Sequence, residues 1–256
     1  MAYDEGVDVA SYQPVDYPVA GKDFAFVKST QGTGYVNPEH DGQIATIVKA
    51  KGVPGHYHFM TTESPASQAN YFAAHTKVNP GDMIALDWES LNGVWPSNAN
   101  KDALLKALKS RYPHNKVGLY TNRDGWLNQD RTNYCGDFLW IADPGVTPGQ
   151  PRVKHAWTFH QYGESHGMDL DVANFSTLQE LKNWAGIQVS TPDAPNATYK
   201  AVMLDDVFPI SALAGTHQDG DGNGAWTLQT VLSSLYGMVY DIQQKVDEIH
   251  TKVMGS

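Results

Sequence analysis

The segment Met83-Ile84-Ala85-Leu86-Asp87-Trp88-Glu89-Ser90 constrains the fold more than any other part of the chain. A short apolar run introduced by Pro80-Gly81 reads as a buried strand. Side chains alternate faces along a strand, so Asp87 and Glu89 project together from its C-terminal end. In α/β barrels that end is the active face. Two carboxyl groups held close in a partly apolar setting cannot both ionise freely, and the one whose pKa rises can serve as a general acid.

Around this strand the chain alternates between strand and helix patterns. Strands are expected at 6–12, 23–28, 53–59, 83–89, 116–121, 138–143, 155–162 and 168–173. Helices are expected at 40–51, 64–77 and 100–111, with a short one near 123–128 and a last one at 176–184. Ser64 stands as N-cap of the second helix, with Pro65 at its first position. Five strand–helix alternations imply a parallel sheet, and eight strands in so short a length imply a small closed barrel. The last three strands leave little room for helices, so the fold class is α/β, a small (β/α) barrel with an irregular final third. Asp8, Asp87, Glu89, Asp143 and Asp171 all fall on or at the ends of these strands. Buried acids without partners are costly, so convergence of several on one mouth is the economical explanation. Asp143, just before Pro144, is the best candidate for a purely structural role.

Composition closes several alternatives. The formal net charge is −10 and there is no cluster of Lys and Arg, which argues against nucleic acid as a partner. Cys135 is the single cysteine, so neither an intrachain disulfide nor a cysteine-based zinc site is expected. No run of about 18 apolar residues marks a membrane span. Met-Ala-Tyr-Asp-Glu lacks the basic and apolar regions of a secretory signal, so synthesis in the cytoplasm without a signal peptide is the expectation. His56 and His58 share one face of a strand. They read as hydrogen-bonding residues rather than metal ligands, because acidic partners at ligand spacing are missing; no metal and no cofactor is expected.

Gly6-Val7-Asp8-Val9-Ala10-Ser11-Tyr12-Gln13, Gly55-His56-Tyr57-His58-Phe59, Leu86-Asp87-Trp88-Glu89, Leu139-Trp140-Ile141-Ala142 and Gln161-Tyr162 occur here in the order found in the family 25 glycoside hydrolases, which the chain resembles over about residues 4–185. These are the 1,4-beta-N-acetylmuramidases, or lysozymes, of phages and bacteria. The resemblance implies a flattened β/α barrel that cleaves the bond between N-acetylmuramic acid and N-acetylglucosamine in peptidoglycan. It implies Glu89 as general acid/base, Asp87 as the group that orients the substrate's 2-acetamido group, and Asp8 and Asp171 as completing an acidic mouth. The family's last motif usually reads Asp-x-Asn before an aromatic residue. Aligning on Phe175 selects Asp171 but puts Ala173 where asparagine is expected, so Asp169 is the alternative.

Two mechanisms compete. A carboxylate about 5–5.5 Å from the acid could attack the sugar carbon, or the substrate's own acetamido oxygen could attack while a carboxylate steadies it. An aspartate two residues from the glutamate on one strand favours the second, with retention of configuration. Sugar rings stack on aromatic faces and present polar edges. Tyr12, Tyr57, Trp88, Tyr120, Trp140, Trp157 and Gln161 are the candidate substrate-binding residues.

The chain thus divides into a catalytic barrel at 1–187, a linker at 188–199 and a C-terminal appendage at 200–256. Residues 188–256 hold 3 Lys/Arg and 8 Asp/Glu, a net −5. Ala225–Met254 carries apolar residues at spacings of three and four, a helical stripe that either self-associates as a homo-oligomeric coiled coil or docks within the chain. Wall binding by this appendage is open. Asp219–Gly224 resembles the start of a calcium loop, but Thr230 stands where an EF-hand needs Glu, so a glycine-rich turn is the better reading. The function classes in play are a phage-type lytic muramidase released through a separate pore, a non-catalytic glycan-binding or virion structural protein on the same barrel, and a chitinase-like hydrolase whose longer acidic signature is absent.

Overall fold

The computed structural model describes residues 3–187. The segments expected from the sequence to be a linker (188–199), a glycine-rich turn (219–224) and a helix (225–254) lie outside the described residues. Nine strands alternate with four α-helices: β1 (Asp4–Val9), β2 (Phe24–Gln31), β3 (Tyr35–Val36), α1 (His40–Lys49), β4 (Val53–Phe59), α2 (Pro65–His75), β5 (Met83–Asp87), α3 (Asn98–Arg111), β6 (Lys116–Asn122), β7 (Leu139–Ala142), β8 (Phe159–Ser165), β9 (Met168–Ala173) and α4 (Leu178–Ala185). A single π-helical turn, Gly125–Gln129, stands where a short helix is expected near 123–128. Each of the eight expected strands is present, with ends shifted by a few residues. The two-residue β3 is an addition, formed where the chain after β2 folds back on it.

The sheet runs β1-β9-β8-β7-β6-β5-β4-β2, and β1 pairs with β2 to close it into an eight-stranded barrel, β3 lying outside on β2. Seven barrel strands are parallel and β9 alone runs antiparallel, against β8 and β1. That reversal is the expected irregular third: β8 and β9 are joined by a tight turn at His166-Gly167, so no helix is needed to bring the chain back. The helices start where the sequence supplies caps. Ser64, Ser97 and Thr177 side chains accept from the backbone N–H three residues on, and Gly186 ends α4 in the left-handed conformation.

Alternation sorts the side chains. Outward-facing Ile84, Leu86, Val117 and Leu119 pack under α2 and α3, while Val7, Val9, Ala25 and Val27 pack with Ile47 of α1. Inward-facing Phe24, Phe26, Met83, Ala85, Phe138 and Phe159 fill the lower lumen, and Leu181 and Ala185 of α4 close it. Phenylalanine rings fit so narrow a barrel only where facing positions are small. A Cβ on Gly6, Gly55 or Gly118 would lie 2.3 Å from the ring of Phe24, Phe26 or Phe138 respectively. The apolar plug therefore occupies the N-terminal end of the parallel strands and leaves polar side chains at the C-terminal end.

Candidate active site

The upper lumen opens as a cavity of about 280 Å³ lined by Asp8, Lys28, Tyr57, Asp87, Glu89, Tyr120, Trp140, Gln161 and Asp169, with Tyr12, Gln13 and Phe59 toward its rim. Strand register explains the set. Phe24, Phe26 and Lys28 share the inward face of β2, and Lys28 pairs with Tyr57. Phe59 pairs with Asp87, Asp87 with Tyr120, and Tyr120 with Trp140. Gln161 lies beside Asp171, and Asp8 beside Asp169.

Hydrogen bonds fix these groups. Trp140 Nε1 donates to Asp171 Oδ1 at 2.8 Å. Gln161 Nε2 donates to Asp8 Oδ2 at 2.6 Å, and Tyr120 OH donates to Gln161 Oε1 at 3.0 Å. Asn122 Nδ2 donates to Glu89 Oε1 at 3.0 Å, while Asn122 Oδ1 accepts from Gly125 N at 2.8 Å, which ties the acid to the π-helical turn. Lys28 Nζ donates to Gln31 Oε1 at 2.8 Å and sits 4.8 Å from the centre of the Phe59 ring. Asp87 Oδ1 and Asp171 Oδ2 are buried without a hydrogen-bond donor among the described residues.

The electrostatics follow from placing so many acids in one low-dielectric mouth. Burial lifts Glu89 above the usual carboxylate range, and the Asn122 hydrogen bond restrains it. Burial and then the charge of Glu89 push Asp87 well up, with Lys28 pulling the other way. Asp8 is pushed up to about 7 by burial and the charge of Asp169, against hydrogen bonds from Gln161 and Asp171. Asp171 is driven well up by burial and by Asp8. Asp8 and Asp171 are therefore a coupled pair that disfavours simultaneous ionisation. Burial lowers Lys28, and Asp87 and Glu89 draw it back up.

Of the candidate acids, Asp8, Asp87, Glu89 and Asp171 come together. Asp169 joins them: it lines the cavity beside Asp8, while Asp171 lies one layer deeper, fully buried. The choice between Asp169 and Asp171 is thus one of depth. Asp143 stands apart, its carboxylate bound by the Arg152 side chain at 2.5 and 3.0 Å and by the Arg152 backbone N–H. Among the aromatic candidates, Tyr12, Tyr57, Tyr120 and Trp140 line the cavity, as does Gln161.

Trp88 does not. It sits between Asp87 and Glu89 in an extended chain, so it points to the opposite face, fully buried beside Leu104 and Leu105, with Nε1 donating to Pro96 O at 2.8 Å. Trp157 also lies outside the cavity lining, packed 5.9 Å from Tyr3. His56 and His58 face outward and hydrogen-bond to different partners, His56 to His40 and Asp82, His58 to Thr30 and Gln68.

Lys28 and Asn122 were not singled out from the sequence. The period-2 continuation from Phe24 and Phe26 marks Lys28 as inward-facing, and Asn122 stands two residues beyond Tyr120 by the same rule.

Comparison with known proteins agrees with this architecture. The family model described as Glycosyl hydrolases family 25 matches residues 7–169. The chain is 36% identical over 184 residues to N,O-diacetylmuramidase of Chalaropsis sp, covering 60% of this chain and 86% of the relative. It is 32% identical over 162 residues to the lysozyme of Lactococcus phage mv1, covering 54% of this chain and 77% of the relative. A family 25 glycosyl hydrolase structure from Bacillus anthracis superposes with a TM-score of 0.62 at 23% identity, covering 72% of this chain and 94% of that one, a likeness of fold. The chain belongs to glycosyl hydrolases family 25 and is a glycoside hydrolase.

Proposed function

We propose that this enzyme hydrolyses peptidoglycan, cleaving the β-1,4 bond between N-acetylmuramic acid and N-acetylglucosamine. The observation that carries the reading is Asp87 and Glu89 together in one acid-lined cavity, one carboxyl with a buried oxygen that has no donor and the other held by Asn122. The muramidase and lysozyme relatives support the substrate class.

Glu89, whose proton affinity burial raises, gives a proton to the glycosidic oxygen as the leaving sugar departs. The acetamido carbonyl oxygen of the N-acetylmuramic residue attacks C1 from the opposite face, forming a cyclic oxazolinium. Asp87, on the cavity wall, accepts the acetamido N–H and steadies the positive charge that develops there. Glu89, now a carboxylate, takes a proton from water as that water opens the ring at C1. Two displacements retain configuration. Asp8, Asp169 and Asp171 set the potential of the mouth, and Tyr12, Tyr57, Tyr120 and Trp140 supply stacking faces and edges. Phage-type lysis is the biological setting we favour, given the phage lysozyme relative, with the enzyme reaching the wall after release through a separate pore. Among the described residues no helix is long and apolar enough to cross a membrane.

The test is clearing of purified peptidoglycan by the intact protein and by Glu89→Gln, with released ends identified by mass spectrometry. Clearing by the wild type alone, with new reducing N-acetylmuramic acid ends, supports the reading. Equal clearing by both removes Glu89 as the acid, and new N-acetylglucosamine reducing ends identify a different bond.

A further inference from the structure

Among the described residues Lys28 is the one cation that lines the cavity, and nothing in the proposed reaction uses it. Its ammonium makes no ion pair within 4.0 Å among the described residues, although four carboxyl groups line the cavity. It is held instead by a neutral acceptor, Gln31 Oε1 at 2.8 Å, and by the faces of Phe59 at 4.8 Å and Tyr35 at 5.7 Å. Neutral partners fix the position of a cation without neutralising it. An ammonium carries three donors, and Gln31 takes one.

Several neighbouring side-chain donors already serve other acceptors, and those left open, such as the Tyr57 hydroxyl, are uncharged. Trp140 Nε1 serves Asp171, Gln161 Nε2 serves Asp8, Asn122 Nδ2 serves Glu89, Tyr120 OH serves Gln161, and Gln13 Nε2 serves the Gly167 carbonyl. A ligand oxygen entering the mouth therefore meets Lys28 as its strongest open donor.

The two sugars of the proposed substrate differ at one place. N-acetylmuramic acid carries a 3-O-lactyl group ending in a carboxyl, free or amide-linked to a peptide, and N-acetylglucosamine has a hydroxyl there. Either form of the lactyl carboxyl presents a carbonyl oxygen that accepts a charge-assisted hydrogen bond. We propose, resting on the peptidoglycan reading above, that Lys28 is a specificity-determining residue that binds the lactyl carboxyl oxygen of N-acetylmuramic acid. Repulsion from the surrounding acids disfavours anionic groups elsewhere in the mouth, so one placed ammonium gives both attraction and register. The neutral hydroxyl of N-acetylglucosamine gains less from the same ammonium.

Binding separates this role from catalysis. Full-length Glu89→Gln, and the same chain also carrying Lys28→Met or Lys28→Gln, are titrated calorimetrically with two tetrasaccharides of equal length. One alternates N-acetylglucosamine with N-acetylmuramic acid bearing a free lactyl carboxylate, and the other is all N-acetylglucosamine. The expected result is tenfold or greater preference for the muramyl ligand with Lys28 present, falling to about threefold or less in both Lys28 variants through weaker binding of the muramyl ligand alone. Thermal unfolding confirms that each variant is folded. Absence of any preference in the Glu89→Gln chain, or a preference that survives both Lys28 substitutions, overturns the assignment. Clearing of peptidoglycan by the wild type is scored separately, so a failure of Lys28 recognition leaves the hydrolytic reading standing and is told apart from its loss.

Discussion

Asn122 Nδ2 donates a 3.0 Å hydrogen bond to Glu89 Oε1, and the same amide's oxygen accepts from Gly125 N. The side chain at the end of β6 thus fixes the orientation of the acid at the end of β5 and stabilises its charged form. Removing it has a defined sign.

Asn122→Ala deletes the one hydrogen bond that lowers the proton affinity of Glu89, so burial acts with less opposition and the pKa rises further. The alkaline limb of the pH profile of kcat/KM moves to higher pH. The rate at the optimum falls about tenfold, because the acid is less well oriented. A profile unchanged in position, or moved to lower pH, would show that Glu89 does not govern that limb.

Stability should fall as pH rises through neutrality. Asp8 goes from 3.8 to about 7 on folding. Its folded pKa is above its unfolded one, so the native state binds the proton more tightly. The contribution is complete below about pH 4 and is lost as pH climbs through about 7. Such a shift amounts to at most about 4 kcal/mol. Asp4, raised to about 6, acts in the same direction. Urea unfolding at pH 5 and pH 8 measures the difference, and Asp8→Asn should shrink it. An equal difference in the variant would place its origin elsewhere.

Gly55→Ala tests the lumen packing. The added methyl would lie 2.3 Å from Phe26 Cδ1, within a ring cluster that includes Trp140 stacked 4.2 Å from Phe26. Overpacking of this kind costs about 1–3 kcal/mol. Because Trp140 holds Asp171, activity should fall along with the unfolding midpoint. A variant with unchanged stability would mean that the Phe26 ring yields freely.

Tyr12 and Trp88 should separate binding from stability. Tyr12 is 92% exposed at the cavity rim and Trp88 is fully buried. Tyr12→Ala should leave Tm within about 1 °C and raise KM several-fold, since a surface residue away from packing contributes little to folding. Trp88→Phe should lower stability by about 1–3 kcal/mol, through lost volume and the lost bond to Pro96 O, with KM nearly unchanged. Calorimetry and steady-state kinetics on the two variants decide it, and a KM effect in Trp88→Phe would contradict the face assignment.

The sequence by itself determined the strand–helix order, the eight barrel strands, the cap at Ser64 and the pairing of Asp87 with Glu89 on one face. These are local properties: they follow from the periods of 2 and 3.6, from capping chemistry and from alternation. Alternation also excludes Trp88 from the face of its two neighbours. Only the tertiary structure decided what lies across the barrel. That Asp8 on β1 meets Asp171 and Asp169 on β9 depends on the antiparallel return of the last strand. That Lys28 stands among acids depends on the register of β2 with β4, and that Asn122 restrains Glu89 depends on β6 lying beside β5. These are contacts between residues distant in sequence. Register and closure set them, and no local periodicity encodes which inward-facing groups will share one low-dielectric mouth and shift one another's charge.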